Sequence, residues 1–145
     1  KGMGTTVVAV VVRDNVAHIA HAGDSRAYLV NKDGVEQITV DHSLVQNLVD
    51  RGEITKEEAE HHPNKNVITR ALGVDKRIDV DFSEIDMQEN ETLVLCTDGL
   101  SNCVSNSEMA EDIKDGQYYA FADRLVKRAN KNGGNDNITV VAIAI

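Results

Sequence analysis

Three aspartates stand where short apolar runs meet glycine- or asparagine-rich turns: Asp24 in Ala22-Gly23-Asp24-Ser25-Arg26, Asp98 in Cys96-Thr97-Asp98-Gly99-Leu100, and Asp136 in Asn135-Asp136-Asn137. A carboxylate at a strand tip is held by the sheet while its oxygens face an open cleft, which suits ligation of a hard cation. One Asp-Gly pair after a strand signals only a turn. Recurrence of the arrangement is what points to chemistry. Carboxylates brought together repel, and one pKa rises sharply unless a divalent cation removes the conflict. Oxygen-only ligation suits Mg2+ or Mn2+ rather than zinc or copper. The calcium loop of alternating acids around a central glycine is missing, which argues against an EF-hand.

The elements that must hold these acids are legible in the apolar pattern. Thr5 to Val12 is a β-branched run expected to form a strand covered on both faces. Val16 to Ala22 is a second strand, with His18 and His21 at half-exposed positions on opposite faces, where they cannot chelate one ion together. Ala27 to Val30 and Val35 to Ile38 follow, joined by the hairpin signal Lys32-Asp33-Gly34, so the first third reads as an antiparallel meander. Asp41-His42-Ser43 caps a helix with Leu44, Val45, Leu48 and Val49 on one face, stopped by Gly52. Thr55 and Glu58 form a capping box for a second helix that ends before Pro63. Asp79 to Ile85 alternates as a strand, and the apolar run that opens the stretch Thr92 to Ser101 reads as a buried strand, because it is too short for a confident helix and stops on Asp98 and Gly99. Helices are expected from Asn106 or Ser107 to Ile113 and from Tyr118 to Lys131, followed by a buried strand from Ile138 to Ile145.

The 145 residues suit one domain, with no internal repeat or linker. A net charge of -9 argues against non-specific nucleic-acid binding and against an anionic membrane surface. No run approaches the roughly 18 apolar residues of a spanning helix, and no basic-then-apolar leader pattern is read in these residues, so a soluble protein is expected. Cys96 and Cys103 lack the spacing of a zinc knuckle or redox motif and read as reduced core thiols, which suits the cytoplasm.

Five segments, in order, resemble the metal-dependent protein phosphatases of type 2C, especially the bacterial members: Gly4-Thr5-Thr6, Ala22-Gly23-Asp24-Ser25-Arg26, Thr69-Arg70-Ala71-Leu72-Gly73, Cys96-Thr97-Asp98-Gly99-Leu100 and Asn135-Asp136-Asn137-Ile138-Thr139. The resemblance implies an α+β fold, two packed antiparallel sheets flanked by helices in an α/β/β/α sandwich, with a two-metal centre at one end. It implies that Asp98 and Asp136 are ligands of the two core Mg2+ or Mn2+ ions and that Asp24 is a ligand of a third, more loosely held ion. It also implies that the insertion from Asp41 to Pro63 is a flap beside the active site. The expected reaction is hydrolysis of phosphoserine and phosphothreonine in proteins. Two divalent cations activate water at neutral pH, orient it in line with phosphorus and neutralise the transferring oxygens. Neither cysteine is followed six residues later by arginine, so the cysteine-phosphatase loop is absent.

The likeness begins only at Gly4. The family's phosphate-binding arginine and the Asp-Gly pair whose carboxylate bridges both metals lie outside this chain. It therefore resembles the C-terminal two-thirds of a catalytic domain, truncated at the N-terminus, and as a fragment it is expected to be inactive or nearly so. The expected partners are phosphoprotein substrates and a cognate Ser/Thr kinase, with self-association through exposed sheet edges. The alternative is a non-catalytic regulatory or binding domain that keeps the scaffold; retention of Asp98 and Asp136 argues against it.

Overall fold

Among the described residues, β-branched and alternating runs build seven strands, and the loops between them decide which sheet each strand joins. The computed structural model describes residues 2–114 and 117–145; Lys1, the first residue of the Lys1-Gly2-Met3-Gly4 opening, lies outside them. β1 (Val7–Arg13) and β2 (Val16–Ala22) form a hairpin through Asp14 and Asn15, both at positive φ as a two-residue turn of matching twist requires. β5 (Asp81–Asp86) lies along the other side of β2, giving the antiparallel order β1-β2-β5. β3 (Arg26–Asn31), β4 (Gly34–Gln37), β6 (Thr92–Cys96) and β7 (Val140–Ala144) form a second antiparallel sheet in the order β4-β3-β6-β7.

The expected meander is therefore split. β2 and β3 do not pair, because the chain leaves the first sheet at Gly23 and enters the second at Arg26. Gly23 has φ +115°, and a Cβ there would overlap the Thr6 side chain, so only glycine fits this crossing.

The inner faces of the two sheets meet in one core cluster, where Val10, Ala17, Ile19 and Met87 from the three-stranded side pack with Ala27 and Leu93 of the four-stranded sheet. A second cluster lies on the far side of the four-stranded sheet: Tyr28, Val30 and Val94 pack under Leu100, Met109, Phe121 and Leu125. Those last four come from the helices α3 (Asp98–Ser101), α4 (Asn106–Lys114) and α5 (Phe121–Lys131). The Asp112 carboxylate accepts two hydrogen bonds from Arg128, both 2.7 Å, and clips α4 to α5. The fold is thus two packed antiparallel sheets with helices, as expected. β1 differs in detail: Val8, Val10 and Val12 face the core, whereas Val11 is 66% exposed. Among the described residues no helix packs over that outer face, which is why the β-branched run is covered on one side rather than two. β7 likewise starts at Val140 rather than Ile138 and keeps Val141 half exposed.

Between β4 and β5 the chain forms α1 (Leu44–Asp50), capped by the Ser43 hydroxyl, and α2 (Lys56–Glu60), with the full Thr55–Glu58 capping box. Their base is tied by backbone bonds from Leu44 N–H to Val67 O, 2.9 Å, and from Thr69 N–H to His42 O, 2.9 Å.

Candidate metal centre

Strand register brings two of the three acids together. Arg26 and Cys96 are the last pair across β3 and β6, so Asp24 and Asp98, each two residues beyond it, leave the same sheet end as neighbours. Asp98 opens α3, a short helix rather than the plain turn its Asp-Gly signature suggests. The Asp24 carboxyl is pushed up to about 6 by burial first and by the neighbouring charges of Asp98 and Asp41 next. Asp41, read from the sequence only as part of a helix cap, is therefore a third acid of this site. Its signal was hidden by distance in sequence: it arrives on the strand-to-helix connection after β4.

Asp136 is reached from the other side. Cys96 pairs with Val140 across β6 and β7, and the pairing continues beyond the strands: Thr97 N–H donates to Thr139 O at 3.2 Å, Thr139 N–H donates to Thr97 Oγ1 at 3.0 Å, and Thr97 Oγ1 donates to Asn137 O at 3.3 Å. Gly99 lies so close to the Asn137 carbonyl that a Cβ would overlap it. The Asp98 and Asp136 loops are thereby locked together through the backbone and hydroxyl of Thr97 and the Gly99–Asn137 contact. Asp136 itself is exposed, and its Oδ1 accepts from the Asn137 N–H at 2.7 Å.

The donor set is all oxygen, and the repulsion that raises Asp24 is the kind a divalent cation relieves, so the residues fit Mg2+ or Mn2+. They do not fit one ion shared by all three. Two ligands of a single Mg2+ lie at most about 4.2 Å apart. Among the described residues the one trio with ligand atoms within 4.8 Å of one another is His21, His42 and Asp81, not the three aspartates.

The two arginines beside the site are both engaged. Arg26 donates to both Asp41 oxygens, at 2.8 and 2.7 Å, and to Tyr28 Oη at 2.7 Å. Burial works against its charge, but the Asp41 bonds more than offset this and hold its pKa above the ordinary arginine value. Arg70 donates to Asp81 Oδ1 at 2.9 Å and Asp79 O at 3.2 Å. Cys96 is buried under the site, and burial pushes its thiol up to about 12, so it packs rather than reacts. His21 is buried, not half exposed, because the inner face of β2 at that point is roofed by the 40–42 connection; His18 points outward and contacts Glu84 Oε1 at 2.9 Å. An open groove of about 430 Å3 lined by Thr92, Tyr118 and Ile145 lies at the opposite end of β6 and β7 and takes no part in this centre.

The five sequence segments converge on the same end. Thr5 and Leu72 exchange backbone hydrogen bonds of 3.0 and 2.8 Å, and Thr6 Oγ1 meets Ser25 Oγ at 2.8 Å. Comparison with known proteins fits that convergence. A family model described as protein phosphatase 2C matches residues 1–141. The serine/threonine phosphatase stp of Listeria innocua is 46% identical over 98% of this chain, and protein phosphatase PhpP of Streptococcus pneumoniae is 41% identical over all of it. The chain spans 57% and 59% of the lengths of these two relatives. Among solved structures, the serine/threonine phosphatase Stp1 of Staphylococcus aureus superposes with a TM-score of 0.95 at 42% identity, covering all of this chain and 57% of that one. The catalytic domain of the phosphatase PstP, solved in complex with two manganese ions, gives 0.82 at 38% identity, covering 97% of this chain and 58% of that one.

Proposed function

The chain belongs to the protein phosphatase 2C family, and from that membership we propose that it forms the metal-holding part of a protein serine/threonine phosphatase that hydrolyses phosphoserine and phosphothreonine. The observation that carries this reading is that Asp24 and Asp98 leave one sheet end as neighbours, with the Asp24 carboxyl pushed up to about 6 by burial and by the charges of Asp98 and Asp41. Asp98 and Asp136 hold the core ions, and Asp24 with Asp98 holds a further one. A bound divalent cation supplies charge neutralisation at the phosphoryl oxygens and lowers the pKa of water. The chain's own contribution is rigidity: the Thr97–Thr139 bonds and the Gly99 contact keep Asp98 and Asp136 at a fixed spacing, and the two Arg26 hydrogen bonds hold the Asp41 carboxylate in place.

These 145 residues alone are inactive or nearly so, because Arg26 and Arg70 are both committed to carboxylates and neither is released to hold a substrate phosphate. The segment 41–63 acts as a flap: its base is tied by the Leu44–Val67 and Thr69–His42 backbone bonds, and its second helix buries no side chain. The substrates are phosphoproteins supplied by a cognate Ser/Thr kinase. The free thiols Cys96 and Cys103 suit the cytoplasm, and no helix among the described residues is long and apolar enough to cross a membrane. The open outer face of β1 offers a surface for self-association.

Calorimetric titration with Mn2+ tests the reading. Binding is expected, weakened at least tenfold by Asp98→Asn and by Asp136→Asn; a chain that binds no Mn2+ is the non-catalytic scaffold instead. Hydrolysis of p-nitrophenyl phosphate is expected near background, and robust turnover abolished by Asp98→Asn would overturn the inactivity of these residues.

A further inference from the structure

Close to the acidic centre, but outside its ligand set, a buried histidine holds the loop that carries Asp24. His42 is 6% exposed. Its backbone N–H donates to Gly23 O at 2.9 Å, and its ring Nδ1 accepts from the Gly23 N–H at 3.0 Å, so one residue satisfies both backbone groups of Gly23. Because Nδ1 accepts, the ring proton sits on Nε2, which donates to Asp81 Oδ2 at 2.8 Å. Arg70 Nη1 donates to the other Asp81 oxygen at 2.9 Å; its 3.1 Å approach to His42 Nε2 brings together two donors that share one carboxylate, not a hydrogen bond between them. His21 stacks on the His42 ring at 4.5 Å and 10°, and is fixed in turn by its Nε2–H donating to Val40 O at 2.9 Å. The chain Arg70–Asp81–His42–Gly23 thus runs from the outer connection to the Asp24 loop and couples β5, the flap base and the crossing between sheets.

The trio His21, His42 and Asp81 does not serve as a metal site, although its ligand atoms lie within 4.8 Å of one another. Both nitrogens of His42 are already committed. Two near-parallel stacked rings also direct their lone pairs into separate planes, whereas an ion must lie near the plane of each imidazole it binds.

We propose that His42 is a positioning residue whose tautomer, set by Asp81 and Arg70, fixes the Gly23–Asp24 loop in the place from which Asp24 meets its cation. The link to a cation rests on the metal role given to Asp24 above; the clamp on Gly23 does not. Loss of the ring acceptor leaves the buried Gly23 N–H without a partner, and a backbone group in that state opens more readily. Asparagine is the conservative replacement, because its Oδ1 occupies about the place of Nδ1 and accepts from the same N–H.

Nuclear magnetic resonance on the 15N-labelled chain tests this directly. The His42 ring is expected to carry its proton on Nε2. Hydrogen exchange at the Gly23 amide is expected to speed up on the order of tenfold in His42→Ala and to return to within about twofold of the original rate in His42→Asn. A proton on Nδ1, or equal Gly23 exchange in all three proteins, would overturn the clamp. If His42→Ala does not fold, Asp81→Ala on the half-exposed strand end gives the second reading: a mixture of ring tautomers is expected, and an unchanged ring sinks the relay. Titration with Mg2+ separates the two layers. The response of the Asp24 amide is expected to weaken in His42→Ala and recover in His42→Asn. An identical response in all variants refutes the positioning role, whereas an original chain whose Asp24 ignores Mg2+ while Gly23 still depends on His42 refutes the metal role of Asp24 and leaves the clamp standing.

Discussion

The two sheets are made from similar strands and live in different surroundings. In the four-stranded sheet both faces are covered: Leu93 packs inward against the other sheet while Val94, its neighbour in sequence, packs under the helices, and neither is exposed at all. In the three-stranded sheet, among the described residues, only the inner face is covered, so Val10 is in the core while Val11 and Phe82 stand in solvent at 66% and 80% exposure. A run of valines therefore reports that a strand forms, and the layer above it decides what each valine is worth. The acidic centre sits where the chain crosses from one sheet to the other, so it draws rigidity from the closed sheet and openness from the other.

That contrast is broken most directly from the closed side. Phe121→Ala, at the centre of the helix-covered cluster, is expected to cost about 3–5 kcal/mol by denaturant titration. A cost below about 1 kcal/mol would mean that the helical layer adds little to the four-stranded sheet. At the crossing itself, Gly23→Ala forces a side chain into φ +115° and against Thr6, for an expected loss of about 2–3 kcal/mol, read as a lowered melting temperature.

Asp24→Asn is expected to act in the opposite direction and by less. The folded Asp24 titrates near 6 against an ordinary 3.8, so between those values the folded chain holds more protons than the unfolded one. Stability then falls as pH rises from about 4 to about 6 and stays level above, and asparagine removes that loss. In chelator at pH 8 the variant should be more stable by about 1 kcal/mol after solvent screening, with no advantage below about pH 4. Equal stability of the two proteins across that range would contradict the assigned burial and repulsion. The smallest effect belongs to the open side: Val11→Thr is expected to change stability by no more than about 0.5 kcal/mol while reducing any self-association seen by light scattering. A larger destabilisation would show that this face is covered in solution.

Much of the site was legible along the chain because its signals are local. The capping box Thr55–Glu58, the hairpin at Lys32-Asp33-Gly34 and the acid-bearing junctions at Asp24, Asp98 and Asp136 are each contained in a few residues whose backbone needs dictate their type. Asp41, His42 and Asp81 were not legible as partners, since nothing in their own neighbourhoods distinguishes a cap residue or a strand end from a group aimed at a loop elsewhere.

The order of strands and helices, the excess of acid and the glycines at tight junctions were determined by the sequence itself, because periodicity, charge and positive φ are properties of short segments. Tertiary structure alone decided that β2 and β3 part at Gly23, that β1 keeps one face open, and that Asp24 becomes a neighbour of Asp98 with His42 behind it. Each of those facts depends on register and on contacts between residues far apart in the chain, which only the pairing of whole strands and the packing of whole layers can set.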